Sequence, residues 1–208
     1  MNGASPHPSV ASLEARFGAA VLRSSVSCGD TSVVVARDRA HEILRWLQET
    51  PEEAYDFLTD VTAVEFRERE RPLEVVYHLW SIPRRVFLRV KVELPKDRPL
   101  EVDSVVDLWH AADWLEREVY DLFGITFRGH PDLRRILMWE TYAEGYPLRK
   151  DFPLRGRFSR AEQTRQALGI APEANYSLEE LSIAEAHHGL PADMRERLER
   201  QGGPQGVV

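Results

Sequence analysis

Residues 73–94, LEVVYHLWSIPRRVFLRVKVEL, decide the fold. Two runs rich in Val, Leu, Tyr and Phe, Leu73–Trp80 and Arg85–Leu94, flank Ser81–Arg84, a short connection containing Pro83. β-Branched and aromatic side chains suit a pleated, half-buried surface, and a brief Pro-bearing link suits a hairpin turn. In the second run Phe87, Arg89, Lys91 and Glu93 fall on one face, and Val86, Leu88, Val90 and Val92 on the other. That alternation belongs to a strand with one wet side. Phe57–Phe66 has a similar composition, so the middle of the chain is predicted to be sheet.

The flanks read as helix and short strand. Val10, Leu13 and Phe17 recur at helical spacing with Ser9 as the expected cap, and Gly29-Asp30 marks a turn before a strand over Ser32–Ala36. Asp38 is expected to cap a second helix running to about Glu49, with Ile43, Leu44 and Leu47 inward and Pro51 just beyond. From Ser104 the period changes. Leu108, Ala112, Leu115, Val119 and Leu122 are spaced by four, three, four and three, a helix ended by Gly124, the residue best suited to a left-handed cap. A short extended Ile125-Thr126-Phe127 follows, then Gly129-His130-Pro131, a helix-like DLRRILMW and a Pro-punctuated loop. Residues 160 to about 200 hold helical fragments with weak apolar faces, and GGPQGVV reads as a flexible end.

The order α-β-α-β-β-β predicts an α+β domain: a mixed or mainly antiparallel sheet with helices packed on one face, followed by an irregular extended C-terminal segment. The expected boundaries are a disordered leader over 1–8, the domain over 9–127, and a basic loop with a helical, flexible tail over 128–208.

Bulk properties exclude several functions. The 208 residues are 43% hydrophobic and 29% charged, ordinary for a globular chain. No apolar run approaches the roughly 20 residues that span a bilayer, and MNGASPHPSV lacks the basic start and apolar core of a secretory signal. The chain is expected to be soluble and cytosolic, meeting a membrane only through a partner. Cys28 is the only cysteine, which excludes internal disulfides and any iron–sulfur cluster or Cys-based zinc site supplied by this chain alone. A net charge of −7 argues against nucleic-acid binding, which relies on phosphate neutralisation. The charge is nevertheless uneven: eight basic residues face four acidic ones between Arg128 and Arg160, whereas seven acids face three arginines from Ile170 onward. Such bias suggests docking surfaces or pairing between the segments.

Local chemistry is weighed motif by motif. Glu116, Glu118 and Asp121 could be paired carboxylates for acid/base work, but Arg117 and Asp121 are also (i, i+4) neighbours, and ion pairing or docking is the better reading. His130 could be a general base; a His in such a turn more often bonds backbone. His41-Glu42 opens like a zinc-protease motif, but Arg45 stands where the second His belongs. Gly124-x4-Gly129 has phosphate-loop spacing, but His130-Pro131 replaces Lys and Ser/Thr. His187 and His188 are adjacent and diverge on a helix. No GxGxxG or GxSxG occurs, and the five tryptophans, not interleaved with basic residues, read as core and interface anchors. What survives is the basic loop: Arg134, Arg135, Arg149, Lys150, Arg155 and Arg157 around Leu148, Phe152 and Pro153. Arg forks pair with carboxylates and apolar side chains fill pockets, so this loop is read as a protein–protein anchor.

These residues also carry a resemblance. Glu116-Arg117-Glu118, then Asp121-Leu122-Phe123, His130, Arg134, Ile136 and Leu137, and downstream Pro147-Leu148-Arg149-Lys150-Asp151-Phe152-Pro153, resemble the signature of the 30 kDa subunit family of respiratory complex I, whose bacterial members belong to proton-pumping NADH:quinone oxidoreductase. The specific match covers Leu108–Leu154. The resemblance implies a subunit of the hydrophilic arm that binds no cofactor or metal and has no catalytic residue of its own. It would pack against the 49 kDa-type subunit, near the subunit that holds the terminal cluster, at the quinone end and on the cytoplasmic side of the inner membrane. The complex as a whole would use FMN, iron–sulfur clusters, NADH and quinone. On the family's pattern Glu116, Arg117, Glu118, Asp121, His130, Arg134, Arg149, Lys150 and Asp151 are the positions expected to matter for assembly, with Arg135 added from the basic loop. Two alternatives stay open: the same role in a ferredoxin-dependent dehydrogenase or membrane-bound hydrogenase, and a free-standing acid/base enzyme using His130 with Asp121 or Glu118.

Overall fold

The structure is a computed structural model that describes residues 7–66, 73–95, 99–139, 142–154, 156 and 163–164. Arg155, Arg157 and the tail fragments beyond residue 164 lie outside the described residues. The chain divides into two compact units, Met1–Arg157 and Phe158–Val208. Every element below belongs to the first.

The predicted hairpin forms β4 (Leu73–Ser81) and β5 (Val86–Leu94), antiparallel, with Tyr77 opposite Val90. β3 (Phe57–Glu65) pairs antiparallel with the far side of β4. β2 (Asp30–Val35) runs parallel to β5, which makes the sheet mixed. The edge is β1 (Val21–Ser27), a strand the sequence pattern does not announce, because Leu22–Ser27 is exposed and carries no apolar alternation. A two-residue turn with positive φ at Cys28 and Gly29 joins β1 to β2, the backbone twist a tight hairpin requires. The five-stranded order is β1-β2-β5-β4-β3.

Alternation along the strands sends Leu58, Val61, Val75, Tyr77, Leu79, Leu88, Val90 and Val92 to one face. There they meet Leu13 of α1 (Pro8–Phe17), Ile43, Leu44 and Leu47 of α2 (Ala40–Glu49), and Ala112, Val119 and Phe123 of α3 (Ala112–Phe123) in one core. The α+β architecture with helices on one face is therefore as expected.

Local details differ. His7, not Ser9, caps α1 by accepting the Ser9 amide; the Ser9 hydroxyl instead meets Tyr55 Oη at 2.8 Å inside the fold. A 3-10 turn, Arg37–Arg39, precedes α2 where Asp38 was expected to cap it. Leu108 lies before α3, in a turn running to Ala111, and Gln48 of α2 donates to its carbonyl. Two short parallel strands, β6 (Glu101–Asp103) and β7 (Thr126–Arg128), flank α3 in sequence.

Candidate docking site

α3 carries more charge inward than an ordinary amphipathic helix. Ala112, Val119 and Phe123 face the core, but Glu116 and Asp121 are also fully buried and Arg117 is 8% exposed. A buried charge is costly unless its partners are in place, so the partners define the site. For Arg117 and Asp121 they come from the strap that follows β7, non-helical over its described residues 129–139 and 142–154.

Asp121 is the hub. Its Oδ2 accepts the amides of Ile136, Leu137 and Met138 at 3.0, 2.8 and 2.8 Å, and its Oδ1 accepts Arg135 Nη1 at 2.6 Å. Burial pushes this carboxyl up, but the three amides and the guanidinium outweigh it and hold it below the usual aspartate range. Arg135 also donates to the carbonyls of Asp121 and Gly145, and its guanidinium lies 5.1 Å from the Tyr142 ring centre and 5.4 Å from that of Tyr146. Arg117 does not pair with Asp121 as expected. It reaches out to the carbonyls of Arg134 and Arg135, at 3.2 Å each.

The end of the helix is held the same way. Gly124 adopts φ +70 and bonds back to Tyr120, the left-handed cap that the sequence predicts. Tyr146 packs on the bare Cα of Gly124, where any Cβ would run into the ring. The last carbonyls of α3 lack intrahelical donors; the Leu148 amide takes that of Leu122 at 3.1 Å, and Arg149 Nε takes that of Phe123 at 2.5 Å. Arg149 also stacks on Tyr146, 4.8 Å from its ring centre. At the other end His130, its side chain fully buried, places Nε2 3.0 Å from the Asp113 carbonyl, while Nδ1 accepts the Asp132 amide at 3.0 Å. These partners put the proton on Nε2. His130 braces the strap with both ring nitrogens, and the Asp121 carboxylate accepts four donors, three on Oδ2 and one on Oδ1.

The strap expected to be helix-like at DLRRILMW is therefore irregular, because its successive amides converge on one carboxylate instead of bonding back along a helix. Glu116 faces the other way, accepting Ser104 Oγ and the Val105 amide at 2.7 Å each. Burial, with Asp107 and Asp113 adding to it, lifts this carboxyl to about 7 against these two hydrogen bonds. Of the remaining expected residues, Glu118 is exposed on α3, Arg134 bonds Asp132 at 2.8 Å, and Lys150 and Asp151 are exposed, with the Lys150 amide donating to Glu65 of β3 at 2.6 Å. Arg135 and Arg149 are committed internally to Asp121 and to backbone carbonyls.

Beside these exposed polar groups the strap and helix also leave large apolar side chains outward. Trp114 is 66% exposed, Leu137 61%, Leu148 51% and Leu154 fully exposed. The sequence marks Leu137 within the family signature and Trp114 only among five tryptophans read as core and interface anchors; Trp114 falls off the inner stripe of α3, the signal that sets it apart. Among the described residues no group of three or more His, Cys, Asp or Glu is placed to hold a metal ion, and no helix is long and apolar enough to cross a membrane.

Known proteins resemble this chain. The sequence model of the family described as "Respiratory-chain NADH dehydrogenase, 30 Kd subunit" matches residues 33–158, which take in most of β2 and all of the described strap. The C subunit of NADH-quinone oxidoreductase from Geobacter sulfurreducens is 45% identical over 148 residues, which are 71% of this chain and 89% of that protein. One of the C subunits of the same enzyme from Rhizobium etli is 45% identical over 141 residues, 68% of this chain and 74% of that one. Among solved structures, a chain of the membrane-bound sulfane sulfur reductase, an archaeal respiratory membrane complex, superposes with a TM-score of 0.55 at 24% identity, covering 77% of this chain and 89% of its own length. That likeness is one of fold.

Proposed function

Because this chain belongs to the family of the respiratory-chain NADH dehydrogenase 30 kDa subunit, we propose that it is a docking subunit, itself free of redox centres, in the peripheral arm of a proton-translocating NADH:quinone oxidoreductase. The complex draws on FMN, iron–sulfur clusters, NADH and quinone; this chain holds none of them and does no chemistry alone. Its partners are the 49 kDa-type subunit and the subunit that holds the terminal cluster, and it sits on the cytoplasmic side of the inner membrane, held there through the complex.

One observation carries this reading. Asp121 is satisfied by Arg135 and three strap amides, Arg149 is spent on the Phe123 carbonyl, and Glu116 is satisfied by Ser104 and Val105, while Trp114, Leu137, Leu148 and Leu154 are left in solvent. An internally satisfied polar frame that displays large apolar side chains is the anatomy of an interface, where aromatic and aliphatic anchors supply most of the binding energy. Glu118, Arg134, Lys150 and Asp151 are polar residues exposed on the same helix and strap. Glu116, Arg117, Asp121, His130, Arg135 and Arg149 contribute to assembly by giving the strap its shape.

The test is a pull-down of the tagged full-length chain from mild-detergent membrane extracts, assayed for NADH oxidation and iron. An iron-containing, NADH-oxidising assembly is expected. An assembly that ignores NADH would move the docking role to a ferredoxin- or hydrogen-linked host, and recovery of a lone chain would overturn the docking role.

A further inference from the structure

Glu116 is fully buried in α3 and forms no ion pair among the described residues. Its two hydrogen bonds join the helix to the turn that follows β6. The Val105 amide can only donate, so Oε1 must stay an acceptor. The Ser104 hydroxyl is different: it donates to a carboxylate, or turns and accepts from a carboxylic acid. Both protonation states therefore find partners in the same geometry, a property a Lys or Arg partner would not allow.

A path to solvent exists as well. Ser104 lines a cavity of about 270 Å³ together with His41, Asp103, Asp107, Arg128 and Gly129. The groups around Glu116 disfavour its charge. Asp107 in the turn and Asp113 on its own helix repel it, and Tyr77 of β4, buried beside Glu116 and Asp103, has its own ionisation pushed well up. The nearby basic groups are engaged elsewhere: Arg45 of α2 bonds Asp107 and Arg128 of β7 bonds Asp103, while the His41 ring meets Asp107 and the His130 ring the Asp113 carbonyl.

We propose that Glu116 is a proton-binding site that exchanges with solvent through Ser104, and that its charge state sets how tightly the Ser104–Asp107 turn is held to α3. When a proton arrives from the cavity it ends on Oε2, which then donates to Ser104 Oγ, and the hydroxyl hydrogen swings toward the cavity. When it leaves, the hydroxyl donates to Oε2 again and the proton passes to solvent. In the charged state the Val105 amide and the Ser104 hydroxyl both bond a carboxylate and pull the turn in; in the neutral state these become ordinary hydrogen bonds, roughly half as strong. The lift of the carboxyl to about 7 places the change inside the physiological pH range.

The test is an amide and side-chain carboxyl NMR titration of the full-length chain from pH 5 to 8.5, in wild type and Glu116→Gln. Gln mimics the neutral acid, accepting from Val105 and donating to Ser104. In wild type the Val105 amide and the Glu116 carboxyl carbon should titrate together with a midpoint near 7, and the Val105 inflection should vanish in the variant. A Glu116 carboxyl midpoint near the usual 4.5, or a Val105 inflection that survives Glu116→Gln, would overturn the proposal. Should the variant not fold, the carboxyl carbon in wild type decides the matter by itself.

Discussion

Arg135 and Asp121 meet at 2.6 Å, fourteen residues apart, with the acid fully buried and the arginine side chain 15% exposed. This pair converts an irregular segment into a fixed surface. Asp121 gathers three consecutive amides of the strap, and Arg135 in turn clamps the Asp121 and Gly145 carbonyls between two tyrosine rings. Neither residue needs to touch a partner to matter for assembly.

Asp121→Ala strands three part-buried amides and a guanidinium at once. Breaking one side of a buried charged pair costs roughly 3–5 kcal/mol, so the variant is expected to unfold at far lower denaturant, read by urea titration. Asp121→Asn keeps the shape but loses the charge, and is expected to fall between the two. Equal stability of wild type and Asp121→Ala would show that the strap is not held by this carboxylate.

Gly124→Ala tests the helix end. An L-residue in the left-handed region costs about 1–2 kcal/mol, and here the added methyl also meets Tyr146. The expected loss is at least about 2 kcal/mol by thermal unfolding, with part of it recovered when Tyr146→Ala is added. Additive losses in the double variant would show that the ring is not the obstacle.

These two tests probe features of unequal legibility. The Gly124 cap and the hairpin over 73–94 were plain in the sequence because periodicity and turn chemistry are local. The edge strand β1 was not: its Ser24, Ser25 and Ser27 bury nothing, and pairing with β2 alone makes it a strand. The strap misled for a related reason. Leu133, Ile136 and Leu137 have helical spacing, but their backbone answers to Asp121, a tertiary partner no local pattern announces. The same holds for Arg117, whose natural (i, i+4) neighbour is already occupied by the strap. Of the site, the residue types were legible and their bonds were not; Asp121 and Arg135 pair with each other, and Glu116, Arg117 and Arg149 bond groups within the chain.

The pH dependence of stability should show opposing slopes. Glu116 has a raised folded-state value, so its favourable contribution is present below about 4.5 and is lost as pH rises through about 7. The loss amounts to roughly 3 kcal/mol by pH 8. Asp121 has a lowered value, so its contribution is present above the usual aspartate range and is lost only as pH falls through its depressed one. Chemical denaturation between pH 5 and 8 should show wild type weakening with rising pH and Glu116→Gln staying nearly flat. Parallel curves for the two proteins would contradict the assignment.

Arg149→Ala removes a donor from the Phe123 carbonyl and a cation from the face of Tyr146. A loss of about 1–3 kcal/mol is expected, together with faster amide exchange across Tyr146–Phe152. Unaltered exchange there would mean that Arg149 does not seat the strap.

The most direct measurement is the yield of assembled complex in cells whose only copy of this protein bears Trp114→Ala and Leu137→Ala. Both side chains point into solvent, so the isolated variant should keep its stability within about 0.5 kcal/mol. Losing interface anchors, each worth on the order of 2 kcal/mol, should cut assembled NADH:quinone activity at least tenfold. Wild-type yield and activity from the stable variant would contradict the docking role of this face.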